Sequence, residues 1–448
     1  MQDYRNRSRF FIVTLVTLLS LFLLLSIRVE QSLVTFSLFW IYGITITCFL
    51  LFVHITTRTY KCEPDHGYRP SMSVIVPVKN EEAVIESAVN AILNSNYPAD
   101  KVEVIVVNDG STDNTGKIVE ALAKTNPRVN LLTLDRNYGK RIAFAEGVKS
   151  SKSQIIVCID SDTLVEPDAL MYLVQPFVDE NVVATCGHGY VANKDKNLLT
   201  KLQHYWYQDM FRLMKGMESK FGAVSCCSGI LAAYRRDSVT PVLNSWLNEK
   251  FLGKPIFIGD DRQLTNLVLW KGLSKMLLKS QGEDRTLTSM AQITRQSRVV
   301  YQSNSLAYTF APDNFKQFLK QQLRWKRAWV HGTMLAGQFM WRKKFPIPII
   351  WYTYQFLTYV SPLIIITWLI IKPIQGDWLG TLGFLAGTFF IALLQGLNLW
   401  SFGYGKESIF YRVMFVFVSF FMTLTVLLYA WGTPWKGGWV TRQEGAKK

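Results

Sequence analysis

The segment Val102-Glu-Val-Ile-Val-Val107, followed at once by Asn108-Asp-Gly-Ser-Thr-Asp113, decides the fold of this chain. Its β-branched residues predict a buried strand that ends in a polar turn. Similar runs at residues 73–78, 129–134 and 154–159 alternate with helical stretches, so we predict an α/β domain with a mostly parallel sheet. In such sheets ligands bind beyond the carboxyl ends of the strands, and the residues there are the first candidates for chemistry.

Five apolar stretches without charge lie in two blocks, at residues 10–27, 32–53, 345–371, 378–405 and 413–429. Their length and apolarity indicate membrane spans. We interpret the first as a retained anchor rather than a signal peptide. Its apolar run is long, no small-residue cleavage site follows, and a second span comes directly after it.

The segment between the two blocks, roughly residues 54–344, has ordinary globular composition and the size of one large α/β domain. Basic residues precede the first and third apolar stretches: Arg5, Arg7, Arg9, Arg342, Lys343 and Lys344. The positive-inside rule therefore places the N-terminus and the central domain in the cytosol.

The net charge of +16 is compatible with nucleic acid, anionic lipid or an anionic substrate. We expect no nucleic-acid partner, because the basic residues flank apolar stretches or lie in motifs and no helix-turn-helix, zinc or RNA-binding signature accompanies them. The six cysteines show no CxxC spacing, so neither disulfides nor structural zinc are expected.

Carboxylates follow two predicted strands, in the turn at Asn108–Asp113 and in Asp160-Ser-Asp162. Alone, the first motif is usually a turn and the second an exposed acidic loop. Together at strand ends they favour a site in which two carboxylates hold a hard divalent cation that neutralises a diphosphate. No GxxxxGK[ST] motif is present, which excludes a P-loop.

Two further polar motifs allow two interpretations each. Asn137-Tyr-Gly-Lys-Arg141 is either a phosphate-contacting glycine turn or a solvated basic loop. Gly259-Asp-Asp-Arg262 opens a predicted helix over residues 263–270, where a carboxylate is by default a cap, although one of a pair can act as a general base.

Gln321-Gln-Leu-Arg-Trp325 lies in a predicted helix over residues 313–341. Gln321, Arg324 and Trp325 share one face, and an apolar set lies on another: Phe315, Leu319, Leu323 and Val330. This pattern indicates an interfacial helix with one side against lipid and the other facing a sugar diphosphate, or a plain membrane-surface helix.

The ordered set DGSTD, GKR, DSD, SG, GDDR and QxxRW, framed by membrane spans, resembles the family 2 inverting glycosyltransferases, the group of hyaluronan, chitin and cellulose synthases. The resemblance covers nearly the whole chain. Residues 226–235 (CCSGILAAYR) and 259–266 (GDDRQLTN) are most similar to the hyaluronan synthase branch, whereas a cellulose synthase is expected to carry TED.

The resemblance implies a role for each motif residue. Asp261 is the expected catalytic base, and Asp160 and Asp162 are expected to hold Mg²⁺ or Mn²⁺. The expected UDP-sugar contacts are Pro77, Val78, Glu81, Asp109, Lys140, Arg141, Asp160, Gln321, Arg324 and Trp325. The expected acceptor contacts are Cys227, Ser228, Gly229, Asp260 and Trp325, with Ile230 where the family has proline.

Members of this family commonly end in a WGTR segment that folds over UDP. Here Trp439-Val-Thr-Arg442 has valine in place of glycine, and the earlier Trp431-Gly-Thr433 is followed by Pro434. We favour the later segment because its arginine is intact, which adds Trp439, Thr441 and Arg442 to the expected UDP contacts.

The resemblance also implies an organisation. We predict two transmembrane helices in residues 1–55, a cytosolic GT-A-like glycosyltransferase domain in 56–312, and an amphipathic interface helix in 313–344. Transmembrane and interfacial helices are expected in 345–430 and a cytosolic tail in 431–448. Three true spans after a cytosolic domain would leave the tail outside, so either 345–371, interrupted by Pro346, Pro348 and Pro362, or the short 413–429 should be interfacial or re-entrant.

The implied activity is processive polymerisation of UDP-GlcNAc and UDP-GlcA, with export of the growing polysaccharide through the chain's own channel. The expected setting is the lipid bilayer of the plasma membrane, and the expected functional unit is a monomer. A chitin or chitin-oligosaccharide synthase, which uses UDP-GlcNAc alone, is the rival enzyme. A transporter or receptor with a nucleotide-sensing domain is the alternative of another class.

Overall fold

The computed structural model describes residues 33–251, 253–271 and 295–436. Its centre is an eight-stranded sheet in the order β3-β2-β1-β4-β7-β6-β10-β5, beside a two-stranded ribbon of β8 and β9. The strands are β1 Met72–Val78, β2 Val102–Asp109, β3 Val129–Leu134, β4 Ile155–Cys158, β5 Leu164–Val165, β6 Val182–Val191, β7 Ala232–Arg235, β8 Lys250–Phe251, β9 Lys254–Pro255 and β10 Arg298–Thr309.

Six of the eight strands of the large sheet run in one direction. β3, β2, β1 and β4 are parallel neighbours, and β6 pairs with β10 in the same sense. β7 is inserted antiparallel between β4 and β6, and β5 runs antiparallel to β10 at the edge. The predicted mostly parallel, GT-A-like sheet is therefore confirmed.

The helices in the described part of the chain precede this sheet, surround it or follow it. They are α1 Leu33–Arg58, α2 Ile85–Leu93, α3 Thr115–Thr125, α4 Lys140–Ser150, α5 Ala169–Leu173, α6 Leu198–Gln208, α7 Gly216–Lys220, α8 Arg236–Val239, α9 Leu243–Leu247, α10 Asp260–Lys271, α11 Phe315–Gly337, α12 Ile347–Ile374, α13 Trp378–Ser401 and α14 Glu407–Gly432. Short 3₁₀ turns occur at Ala99–Lys101, Gln175–Val178, Thr240–Val242 and Met340–Arg342.

The central strand β1 is buried along all seven residues, as expected for a strand covered on both faces. Helix α4 packs on β1 and β2 so closely that a Cβ on Gly147 would lie 2.5 Å from Ile75 Cγ2. This contact holds the C-terminal half of α4 against the middle of β1.

Helix α6 continues through a π-helical segment, Asp209–Lys215, into α7. π-helical turns are rare and change the direction in which the following side chains point. In this helix the first residue of the π-helical segment contacts α14, and the last contacts the loop before β7.

Within the described residues four helices are long and apolar enough to cross a membrane, at Ile41–Arg58, Ile347–Ile374, Trp378–Ser401 and Glu407–Gly432, which indicates a membrane protein. The predicted stretch 10–27 lies outside the described residues. Both candidates for an interfacial segment belong to long helices, of 28 and 26 residues. The stretch 413–429 belongs to a longer helix that begins at the charged Glu407, so its shortness no longer argues for an interfacial segment, and the choice between the two candidates stays a prediction.

Helix α11 begins after Asn314, whose side-chain oxygen accepts a hydrogen bond from Gln317 N at 3.0 Å. Part of its predicted apolar face packs on protein, although Phe315 is exposed. Leu319 and Leu323 pack with Met422 of α14, and Val330 packs with Leu427. The helix thus contacts both α10 and α14, and its predicted place at the membrane interface stays a prediction.

Candidate active site

The carboxylate of Asp109, at the end of β2, is fully buried and holds the neighbouring glycine turn. The backbone N–H groups of Tyr138 and Gly139 donate to its two oxygens at 2.7 and 2.8 Å. The structure therefore places Asp109 as an anchor of the turn that precedes α4. Its contact with uridine stays a prediction.

The loop after β1 is joined to the loop after β2. Asn80 has a φ of 53° and accepts from Thr112 N at 2.8 Å, while Glu81 N donates to the Thr115 hydroxyl at 2.9 Å. The predicted contacts Pro77 and Val78 are buried in β1, so they can border a nucleotide through their backbone only.

Three predicted motifs meet at Lys140, Asp160 and Gly229. The Lys140 ammonium is paired with the Asp160 carboxylate, and Asp160 N donates to Gly229 O at 2.9 Å. A Cβ on Gly229 would lie 2.8 Å from Asp160 Oδ1 and 2.9 Å from Lys140 Nζ. A side chain here would displace the paired Asp160 and Lys140 groups, so the motifs GKR, DSD and SG form one site.

The donor set fits a hard divalent cation. Asp160 and Asp162 offer carboxylate oxygens at the end of β4, and both are half-buried. Within the described ranges no group of three or more His, Cys, Asp or Glu residues could hold a metal ion. Mg²⁺ is usually bound by one or two carboxylates with substrate phosphates and water completing its shell, so two protein ligands suffice.

Arg141 is placed differently from its neighbour Lys140. It is only 7% exposed, and its Nε donates to Asp260 Oδ1 at 3.0 Å while Nη1 donates to Trp246 O at 2.7 Å. The guanidinium also lies over the Trp246 ring, and Nη1 is 3.5 Å from a carboxylate oxygen of Glu249. These contacts hold the Asp260 carboxylate in place, and the predicted contact of Arg141 with the UDP-sugar stays a prediction.

Asp261 lies beside this pair in a different environment. Its Oδ1 accepts from Arg262 N at 2.8 Å, and its backbone carbonyl accepts from Thr265 Oγ1, which in turn accepts from Cys227 N at 2.9 Å. Among the described residues no cationic side chain lies within 4 Å of the Asp261 carboxylate. The turn before it packs on α11, because a Cβ on Gly259 would lie 2.6 Å from Ala328 Cβ.

The predicted acceptor loop reaches the site through Ser228 and Gly229 rather than through Cys227. The Cys227 side chain is fully buried, and burial raises the pKa of its thiol well above the usual value. Ser228 Oγ accepts from Lys215 Nζ at 2.7 Å, at the end of the π-helical segment. Lys215 carried no sequence motif and was not predicted.

The QxxRW residues meet the DSD region through Tyr207. The Tyr207 ring lies 6.0 Å from that of Trp325, and Asp162, Arg324 and Gln321 are close enough to its hydroxyl to affect the pKa. Burial raises the pKa of this phenol. Sequence reasoning missed Tyr207, although the aromatic run Tyr205-Trp-Tyr207 was a usable signal.

A cavity of about 340 Å³ begins beside Trp206, whose ring is 5.8 Å from that of Trp325. It extends between α1, α12, α13 and α14, all of which contribute lining residues. The aromatic pair therefore separates the predicted acceptor site from space among the membrane helices.

The segment Trp439–Arg442, with the predicted contacts Trp439, Thr441 and Arg442, lies outside the described residues. The alternative Trp431–Thr433 segment has a packing role. Trp431 stacks on Tyr359, and Thr433 Oγ1 accepts from Arg327 at 2.8 Å. These contacts hold the end of α14 against α11.

Residues 73–242 match the sequence model of glycosyl transferase family 2. Over 393 residues the chain is 29% identical to the hyaluronan synthase of Streptococcus pyogenes, covering 85% of this chain and 86% of that one. It is 32% identical to an N-acetylglucosaminyltransferase of Neorhizobium galegae over 61% of this chain and 58% of that protein. A mannosyltransferase of Pyrobaculum calidifontis has the same fold, with a TM-score of 0.58 at 21% identity, covering 84% of this chain and 96% of that structure.

Proposed function

We propose that this chain, which is similar to hyaluronan synthase and matches the family 2 glycosyltransferase model, polymerises UDP-GlcNAc and UDP-GlcA into hyaluronan. The predicted resemblance and the predicted enzyme class are confirmed by the comparisons. The nature of the two sugars, processivity and export are proposals. We further propose a cytosolic catalytic domain in a multi-pass protein of the plasma membrane, acting as a monomer.

The observation that supports this function most strongly is the different surroundings of two adjacent carboxylates. Asp260 is bound to the buried Arg141, whereas the Asp261 carboxylate has no cationic partner within 4 Å in the described ranges. One carboxylate is thus committed to structure, and the other is available to accept a proton. An inverting transfer needs a single base, because no covalent glycosyl intermediate forms.

In the proposed mechanism Asp261 removes the proton from the acceptor hydroxyl as that oxygen attacks the anomeric carbon. Ser228 and Gly229 border the acceptor, and Trp325 supplies an apolar face for its terminal ring. Lys140 lies beside Asp160, where it can bind a diphosphate oxygen. Arg324, with Gln321, closes the site on the diphosphate side.

We propose that Asp160 and Asp162 hold Mg²⁺ or Mn²⁺ when the nucleotide sugar is bound. A divalent cation would neutralise the charge that develops on the leaving diphosphate. The mannosyltransferase of similar fold was solved with GDP-Man and Mn²⁺, which supports a divalent cation in a site of this architecture.

The cavity among the membrane helices is the proposed export path. It opens next to Trp206 and Trp325, on the side where the acceptor is expected, and its wall is largely apolar and aromatic. A polymer that leaves the acceptor site would enter it directly.

Product analysis tests the function. Purified protein in lipid nanodiscs is given UDP-GlcNAc, UDP-GlcA or both, and we expect polymer only with both sugars. A neutral polymer from UDP-GlcNAc alone would instead support a chitin-type synthase, which the similarity to the Neorhizobium galegae N-acetylglucosaminyltransferase favours as the second candidate. Absence of transfer from either sugar would contradict both functions.

A further inference from the structure

Ionisable side chains reach the wall of the cavity that lies between the membrane helices and α6. Asp209, Lys326 and Arg412 line it together with aromatic residues such as Tyr354 and Phe415. Charged groups at membrane depth are costly and usually mark the path of a polar substrate. The volume of about 340 Å³ lies within the range of small-molecule sites.

Two of these groups form a buried ion pair with unused hydrogen-bonding capacity. Arg412 Nη2 is 2.6 Å from Asp209 Oδ2 and also donates to Gln395. The two side chains are only 9% and 5% exposed, yet Arg412 Nε, Arg412 Nη1 and Asp209 Oδ1 have no hydrogen-bond partner among the described residues. Buried polar atoms without partners are unfavourable, and a hydroxylated ligand in the cavity would satisfy them.

Lys326 is the third group, one residue after Trp325 on α11. No carboxylate of the described ranges lies within 4 Å of its ammonium, and burial together with the nearby Arg262 lowers its pKa. The anionic neighbours of Arg262 are Asp261 and Glu218, and Glu218 accepts hydrogen bonds from Ser225. An ammonium beside a second cation would be stabilised by a bound anion.

The chemistry of the wall therefore favours a chain with both hydroxyl and carboxylate groups. Asp209 and Arg412 compensate each other, whereas Lys326 has no compensating carboxylate within reach in the described part. The Trp206 ring, stacked on Phe415, offers an apolar face for a sugar ring beside these charges.

Resting on the proposed polysaccharide synthesis, we propose that Lys326 binds the carboxylate of an acidic sugar as the polymer enters the cavity, while Arg412 and Asp209 bind sugar hydroxyls. Lys326 is then a specificity residue for a uronic acid-containing product. It lies outside the reacting groups, so its substitution should leave nucleotide-sugar binding unchanged.

Binding of defined oligosaccharides to the purified full-length protein tests this without requiring turnover. Calorimetry compares a hexasaccharide that alternates N-acetylglucosamine and glucuronate with the neutral chitin hexasaccharide. The parent should bind the acidic chain about tenfold more tightly, the effect expected of one charge-assisted hydrogen bond. Lys326→Gln should lose that preference, Lys326→Arg should keep it, and Lys320→Gln, an exposed position on the same helix, should match the parent.

The inference is overturned if the parent shows no preference or if Lys326→Gln retains it. UDP affinity and gel filtration check that the variant is folded. If Lys326→Gln loses UDP binding and elutes as aggregate, the comparison of the parent with Lys326→Arg decides instead. If the protein synthesises an alternating polymer but does not prefer the acidic hexasaccharide, only the inference about Lys326 is wrong. If it prefers the acidic hexasaccharide but transfers no sugar, only the proposed function is wrong.

Discussion

Asp260 and Asp261 are neighbours in the chain, and the structure gives them different partners. Asp261→Asn keeps the size of the side chain but cannot accept a proton, so polymer synthesis should fall by about 10²- to 10⁴-fold. Nucleotide affinity should remain close to that of the parent. Radiolabelled polymer synthesis and UDP binding in purified protein measure the two effects, and synthesis within a few-fold of the parent would make the base assignment wrong.

Asp260→Asn is the matched control for that experiment. It weakens the pairing with the buried Arg141 guanidinium, so we expect a loss of about 2 kcal/mol in the free energy of unfolding, as for a hydrogen bond to a charged group. Thermal unfolding should therefore separate the two variants: Asp260→Asn is destabilised, and Asp261→Asn unfolds near the parent temperature.

Asp162 is one of the two proposed ligands of the divalent cation. If Asp162 holds the divalent cation, Asp162→Asn should weaken UDP-sugar binding and turnover together, and chelation should have the same effect on the parent. Titration of Mg²⁺ into chelated enzyme measures the dependence. Full activity in excess EDTA would contradict the metal site.

The sequence placed Lys140, at the start of a helix, and Asp160, after a strand, at the same sheet edge, whereas Gly229 was expected in the site only from the family resemblance. It did not predict the burial of Arg141. Adjacent lysine and arginine look alike in a glycine turn, but the partners of Arg141 are Trp246 and Asp260, more than 100 residues away. Such pairings depend on tertiary packing and leave no local pattern.

Among the secondary-structure elements, the ends of strands β1 to β4 were predicted to within two residues from their β-branched runs. The strands β6, β7 and β10 were not predicted. β6 contains two glycines that weaken its strand pattern. Both allow a close approach by the acceptor loop: a Cβ on Gly187 would lie 2.6 Å from Leu231, and one on Gly189 would lie 2.9 Å from Ile230.

The segment that follows α9 contains Glu249, whose protonation should make the stability of the fold depend on pH. Burial raises the pKa of Glu249 to about 7, against the opposing effect of Arg141. Because the pKa of Glu249 is higher in the folded state, its contribution to the free energy of unfolding is complete below about pH 4.5. This contribution is lost as the pH rises through about 7. Glu249→Gln should therefore unfold a few degrees higher than the parent at pH 8 and close to it at pH 5. A constant difference across this range would contradict the assignment.

For the whole molecule, the predicted apolar stretches of the described residues coincide with long apolar helices. The start of α14 was not predicted, because Arg412 interrupts the apolar run. The structure explains this residue, because Arg412 faces Asp209 of the π-helical segment rather than lipid. A charge that has a buried partner interrupts a hydropathy pattern without interrupting a helix.

The crossing of α13 and α14 gives a prediction for the membrane helices. A Cβ on Gly396 would lie 2.5 Å from Ile409 Cα, so the two helices approach backbone to backbone, as small residues permit. Gly396→Leu should separate them and lower the unfolding temperature in detergent. Gly383→Leu on the same helix, where no atom lies within 4 Å of the added Cβ, should not. Equal unfolding temperatures for both variants would show that the close crossing is dispensable.

The π-helical segment Asp209–Lys215 fixes the number of residues between Asp209 and Lys215. Asp209 must face Arg412, and Lys215 must face Ser228, in one continuous helix. Removing one residue between them would restore regular α-helical winding and rotate one contact by about 100° relative to the other. Substitutions there can be absorbed one side chain at a time, but an insertion or deletion would break one of the two contacts. We therefore expect functional homologues to vary in composition across this segment and to keep its residue count.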